Sequence, residues 1–140
     1  MHAYLLHPGI ETPERVDLEP RRPLYPQLVH HVGTDQLAIV PTSARFGDES
    51  PISLAIHSTL DPEAHVNWAA WSLAGQRPVV GLALAFAETP PSCFPAAIPR
   101  ELEPILQHPL APEKVRSALK MARERWEGTD EYAYLDGRWD

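Results

Sequence analysis

The chain has one cysteine, Cys93, among its 140 residues. No internal disulfide is open to it, and a reducing compartment fits. Long apolar runs are missing too. The longest covers residues 79–87, nine residues where a membrane helix needs about 20. Residues 1–9 carry no basic region and only a few apolar residues before a Pro-Gly turn, so no signal peptide is read there and a cytoplasmic location, in a bacterial cell, is expected. Seven glycines are scattered singly, leaving no phosphate-cradling loop. Cations are few, 12 against 19 carboxylates, for a net charge of −7. The one dense basic stretch, Lys114, Arg116, Lys120, Arg123 and Arg125, is interleaved with Glu113, Glu124 and Glu127 and reads as a solvated helix face. Direct nucleic-acid binding is therefore not expected, and the carboxylates are too sparse for a DNA mimic.

What is present points to a globular protein. With 44% apolar and 22% charged residues the composition is near the globular average. A chain of this length folds as one domain and buries roughly two thirds of its unfolded surface. Ten arginines against two lysines, and a single asparagine at Asn67, fit a high-GC genome such as that of an actinobacterium or one of its phages. Sixteen prolines predict many short elements.

Alternation and turn residues predict a strand over 2–6, a turn at Pro8-Gly9 and a hairpin partner over 14–18. Leu24, Leu28, Val29 and Val32 recur at helical spacing up to Gly33. A buried strand is expected over 36–41, a polar loop over 42–50, and a second strand over 52–57. Asp61-Pro62 has the chemistry of a helix start, Asp as N-cap and Pro at the first position, and predicts a helix over 63–73 ending near Gly75. The apolar stretch 77–87 reads as a central strand. Residues 88–99 hold four prolines and mark a boundary, followed by a helix over 100–107. Pro112 opens a last helix with a stripe of Val115, Ala118, Leu119, Ala122 and Trp126, closed by Gly128. Tyr132 and Tyr134 predict a short closing strand or an ordered tail that packs its aromatics back. The expected fold class is α+β: a small mixed β-sheet with packed helices over 1–88, then a Pro-rich linker and a C-terminal helical pair over 89–140 packing on it.

The segment His65-Val66-Asn67-Trp68-Ala69-Ala70-Trp71-Ser72-Leu73-Ala74-Gly75, followed by Pro78-Val79-Val80-Gly81, resembles the signature of the DUF3846 family of small phage and mobile-element proteins. Asn67, Ala70 and Gly81 match most clearly, and the likeness covers residues 2–87. It implies an asparagine opening a helix and an accessory protein of a phage or mobile element, and it supplies no catalytic residues.

No nucleophile elbow, P-loop, dinucleotide fingerprint, H-E-x-x-H or C-x-x-C motif occurs. His57, Asp61 and His65 are spaced by four and form the one candidate metal set, were the strand end to face the helix start. Polar residues at element ends are the plainer reading. Thr42, Ser43 and Arg45 offer hydroxyls and a guanidinium that suit a phosphate, and Cys93 has no basic neighbour in sequence to activate it. Trp68 and Trp71 are neighbours on one helix surface. At least one is expected in the core, while Trp68, Trp71 and Trp139 together are the candidate partner contacts. The expected function is a non-catalytic accessory protein that binds and modulates a host protein, without a cofactor, with self-association as a further possibility. The alternative is a small metal- or ligand-binding enzyme whose site assembles from scattered His, Asp and Arg.

Overall fold

A computed structural model describes residues 1–9, 12–59, 61, 63–88 and 93–140. Among these residues five strands form one sheet: β1 (His2–Leu6), β2 (Glu14–Asp17), β3 (Leu37–Pro41), β4 (Ile52–His57) and β5 (Ala83–Ala87), in the spatial order β2-β1-β5-β4-β3. Five α-helices accompany them among the described residues: α1 (Leu24–Val32), α2 (Ser43–Phe46), α3 (Trp68–Ala74), α4 (Glu103–Gln107) and α5 (Glu113–Trp126). The class is α+β, as the sequence predicts. The sheet is not mixed, because all four strand pairings are antiparallel. The reason lies in the connection from β4 to β5. Ile56 pairs with Ala83, so the chain leaves and re-enters the sheet at one end. A parallel neighbour requires a crossover that returns along the full strand length.

Each face of the sheet meets helices. On one, Ala3, Leu5, Ala55, Leu84 and Phe86 pack with Leu18 and with Leu24, Leu28 and Val32 of α1. The alternation of β1 and the i, i+4, i+8 stripe of α1 both follow from this contact. Gly33, at φ 84°, ends α1 in the left-handed conformation that favours glycine. On the other face Tyr4, Leu6, Ile52, Leu54, Ala83, Ala85 and Ala87 share one apolar cluster with Val66, Trp71, Leu73, Leu106, Leu119, Tyr132, Leu135 and Trp139. Strand β5 is buried on both sides, alanines toward this second face and Leu84 and Phe86 toward α1. Small residues on one side of that central strand leave room for the bulky side chains of the cluster.

Helix α3 begins at Trp68, not at Asp61, and Pro62 lies outside the described residues. Asp61 instead makes a local turn, its Oδ1 accepting the Glu63 N–H at 2.9 Å. The N-cap is Asn67, fully buried. Its Oδ1 accepts from the Ala70 N–H at 3.0 Å, and its Nδ2 donates to the carbonyls of Leu6 at 2.9 Å and Gly81 at 2.8 Å. One side chain thereby ties β1, α3 and the approach to β5. Strand β5 is shorter than its apolar run, since Gly81, at φ 82°, interrupts the extended chain and Val80 makes only an isolated bridge to Val66.

Residues 42–50 hold the short helix α2, where a loop is predicted. Thr42 is buried and donates to the Ile52 carbonyl at 2.7 Å, and Arg45 donates to the carbonyls of Ser72 and Pro109. Their phosphate-binding groups are thus engaged with the chain itself, and burial lowers the Arg45 pKa. In the predicted boundary over 88–99, Thr89, Pro90, Pro91 and Ser92 lie outside the described residues; Ala96 bridges back to Ala87 and Ile98 is buried in the core. Residues Arg100–Leu102 form a 3-10 turn that leads into α4. The predicted stripe of α5 is partly realised: Leu119 is buried, Val115, Ala122 and Trp126 pack half-buried against the cluster, and Ala118 is exposed. The tail forms 3-10 turns over Asp130–Leu135, broken by a kink at Tyr132 (φ −115°, ψ 20°), rather than a strand. Tyr132 and Leu135 are buried there.

Candidate functional site

The three candidate tryptophans have different surroundings. Trp71 is 0% and Trp139 2% exposed, so neither is a surface contact; both belong to the core cluster. Their ring centroids lie 6.3 Å apart, and Trp139 sits at the same distance from Tyr132. Both indole N–H groups are buried without an acceptor among the described residues. Leaving such a donor unpaired costs about 1–3 kcal/mol, which apolar packing must outweigh. Trp139 is inside because the tail is pinned beside the start of α3. The Val66 N–H donates to the Arg138 carbonyl at 2.9 Å, Trp68 Nε1–H to the Trp139 carbonyl at 2.7 Å, and His65 Nδ1 lies 3.2 Å from the main-chain oxygen of Asp140.

Trp68 is half-buried and stacks at a tilt on Trp71, with centroids 5.3 Å apart. Its other surroundings form a groove of about 630 Å³ between α3 and α5. Ala69, Leu110 and Leu119 join Trp68 as its apolar lining, and Arg116, Lys120, Arg123, Glu124, Glu127 and Asp140 supply its charges. Arg123 is held in place: Nε and Nη2 donate to the Glu127 carboxylate at 2.7 and 3.1 Å, and Nη1 donates to Asp140 Oδ1 at 2.6 Å. Those hydrogen bonds raise the guanidinium further above its ordinary pKa and lower the carboxyls of Glu127 and Asp140. The guanidinium carbon also sits 5.9 Å from the ring centroids of both Trp68 and Trp139, within cation–π reach. Lys120 and Glu124 are exposed and make no ion pair with another described residue.

His57, Asp61 and His65 do line one cavity, of about 660 Å³, at the end of the sheet. Among the described residues, however, no three of His, Cys, Asp or Glu form a group able to hold a metal ion. The predicted convergence needs a helix capped by Asp61, and the cap lies six residues later, at Asn67. Tyr132 and Tyr134 also line this cavity, and burial raises both phenol pKa values.

Sequence reasoning missed Lys120 and Arg123 as groove residues. Their spacing with glutamates was visible and read as solvation, whereas Trp68 and Asp140, which turn that face into a groove wall, come from other parts of the chain. No helix among the described residues is long and apolar enough to cross a membrane. No family model, curated protein or solved structure matches this chain.

Proposed function

We propose that this protein is a non-catalytic binding module that acts by contact with another protein, through the groove between α3 and α5. The observation that carries the reading is the half-buried Trp68, presented in an apolar trough whose rim bears charges of both signs. Aromatic and arginine side chains are the types that dominate binding energy at protein interfaces. Arg123 is already fixed by Glu127 and Asp140, so docking onto it costs little side-chain entropy. The free Lys120 and Glu124 suit a partner segment with an apolar anchor flanked by opposite charges. The likeness to DUF3846 proteins supports an accessory role toward a host protein of a high-GC bacterium.

A photo-crosslinking residue at Lys120 or Glu124 tests this. In a lysate of such a bacterium it should give one discrete adduct, absent when the residue is placed at exposed His30 on α1 and weakened by Trp68→Ala. Identical adducts from both faces, or none from the groove, would sink the proposal. A second reading, a small-molecule site, draws on the shared cavity of His57, Asp61 and His65. Native mass spectrometry showing a retained ligand that His57→Ala releases would favour it.

A further inference from the structure

The sheet has two outer strands, and their unpaired hydrogen-bonding groups follow from the register. Strand β3 pairs with β4 so that Leu37 faces His57, Ile39 faces Ala55 and Pro41 faces Ser53. Just before β3, the Ser58 N–H donates to the Gln36 carbonyl at 2.9 Å. Hydrogen-bonded pairs alternate along an antiparallel ladder. Ala38 and Val40 therefore direct their N–H and C=O toward β4, while Leu37, Ile39 and Pro41 direct theirs away from the sheet. Proline at such a position loses no ladder bond.

This outward edge carries no charge anywhere over Leu37–Pro41. Ile39 is 47% exposed, and Tyr25, another exposed large apolar side chain, donates through its hydroxyl to the Asp35 carbonyl at 2.7 Å, just ahead of the strand. Nothing else in the described sheet covers β3. Outer strands that must stay single normally carry charges, bulges or a covering element.

We infer that β3 is a self-association edge, which pairs antiparallel with the β3 of a second copy about a two-fold axis at Ala38. The occupant follows from self-complementarity. In that register the Leu37 N–H meets the Ile39 carbonyl and the Ile39 N–H meets the Leu37 carbonyl, twice over by symmetry. The position opposite Pro41 is Asp35, whose carbonyl needs no partner from the proline because Tyr25 already supplies one. Shifting the axis to Ile39 sets Pro41 against Leu37 and leaves the Leu37 carbonyl without a donor. The chosen register also lays the exposed Ile39 side chain against Leu37 of the copy, an apolar cross-strand pair. Pairing five residues with five covers a small area, so the dimer belongs to the weak, reversible class.

Sedimentation of the full chain over a range of concentrations, with amide exchange read by NMR, tests the edge. A reversible monomer–dimer equilibrium is expected. Exchange at Leu37 and Ile39 should slow as concentration rises, while Ala38 and Val40, bonded to β4, stay protected throughout. Ile39→Lys should weaken the dimer at least about tenfold with Ala38 and Val40 still protected, and Asp17→Lys at the other edge should leave it unchanged. A chain that stays monomeric up to about millimolar concentration, or a dimer in which Leu37 and Ile39 exchange as fast as in the monomer, overturns the inference.

Discussion

One helix covers one face of the sheet, while the other face is closed by segments from all along the chain. Under α1 the contact is apolar side chains of a single stripe on alternate residues of the strands. Opposite it, α3, α4, α5 and the tail enclose Trp71 and Trp139. That closure depends on polar ties between distant residues: Asn67 to Leu6 and Gly81, Gln107 to the Tyr4 hydroxyl at 3.1 Å, and His2 to Glu103. The first face rests mainly on area, its side-chain hydrogen bonds running from α1 to adjoining segments, Gln27 to Glu19 and Arg22 and Tyr25 to Asp35, so damage there should stay local. The second is held by area and by specific hydrogen bonds, so damage there should spread, and the groove is its outer margin.

The strongest way to break this contrast is to open a hole on each side. Trp71→Ala removes one of the two largest fully buried side chains among the described residues and should cost about 3–5 kcal/mol. Chemical denaturation should show that loss, with amide protection falling across the tail as well as α3. Leu28→Ala on the α1 face should cost about 2–5 kcal/mol and leave tail protection unchanged relative to global stability. Equal spreading from both holes would erase the distinction.

Asn67→Ala probes the polar ties alone. It removes an N-cap, worth about 1 kcal/mol, and strands the Leu6 and Gly81 carbonyls, so a loss of about 2–4 kcal/mol is expected. Thermal melts should register it, and Asn67→Asp should recover the cap but not the two donations to carbonyls. Rescue to wild-type stability by Asp would show that capping is all the residue does.

The smallest effect concerns the tail clamp and acid. Glu127 and Asp140 have carboxyl pKa values lowered by Arg123 in the folded chain. Their contribution is therefore present above the ordinary carboxylate value of about 4 and disappears as pH falls through the lowered folded values. Both groups are exposed, so the change is small. An NMR acid titration should show the Arg123 Nε–H signal and tail amides shifting together below about pH 4, and Arg123→Gln should abolish the linked response.

Legibility in the sequence divides along the same line. The α1 face could be read because its contacts obey local periods: two along β1, β4 and β5, and roughly four along Leu24, Leu28 and Val32. The other face misled wherever a local signal had a rival use. Asp61-Pro62 carries the signature of a helix start, but Asp61 satisfies its oxygen in a turn, and Asn67 wins the N-cap because three partners converge on it. Tyr132 and Tyr134 suggested a closing strand or a tail packing its aromatics back, and the second holds, with Tyr132 and Leu135 buried. For Trp139 the sequence left tail packing and partner contact both open, since its neighbours Trp71 and Tyr132 are set by tertiary packing. The groove was invisible for the same reason: α5 supplies a face that looks solvated until Trp68 and Asp140 are laid beside it.

The inner place of β1, between β2 and β5, has a kinetic side. Its partner on one side, β2, follows within a few residues, but on the other it is β5, so Tyr4 must find Ala85 across most of the chain. A hairpin of that kind forms on the order of microseconds, whereas pairings of such separation slow folding toward milliseconds to seconds. Until β5 arrives, the inner edge of β1, with Tyr4, Leu5 and Leu6, stands open as an apolar strand. Nascent or refolding chains should accordingly be most vulnerable to misassociation through this N-terminal hairpin, whose inner strand lies between two neighbours in the finished fold.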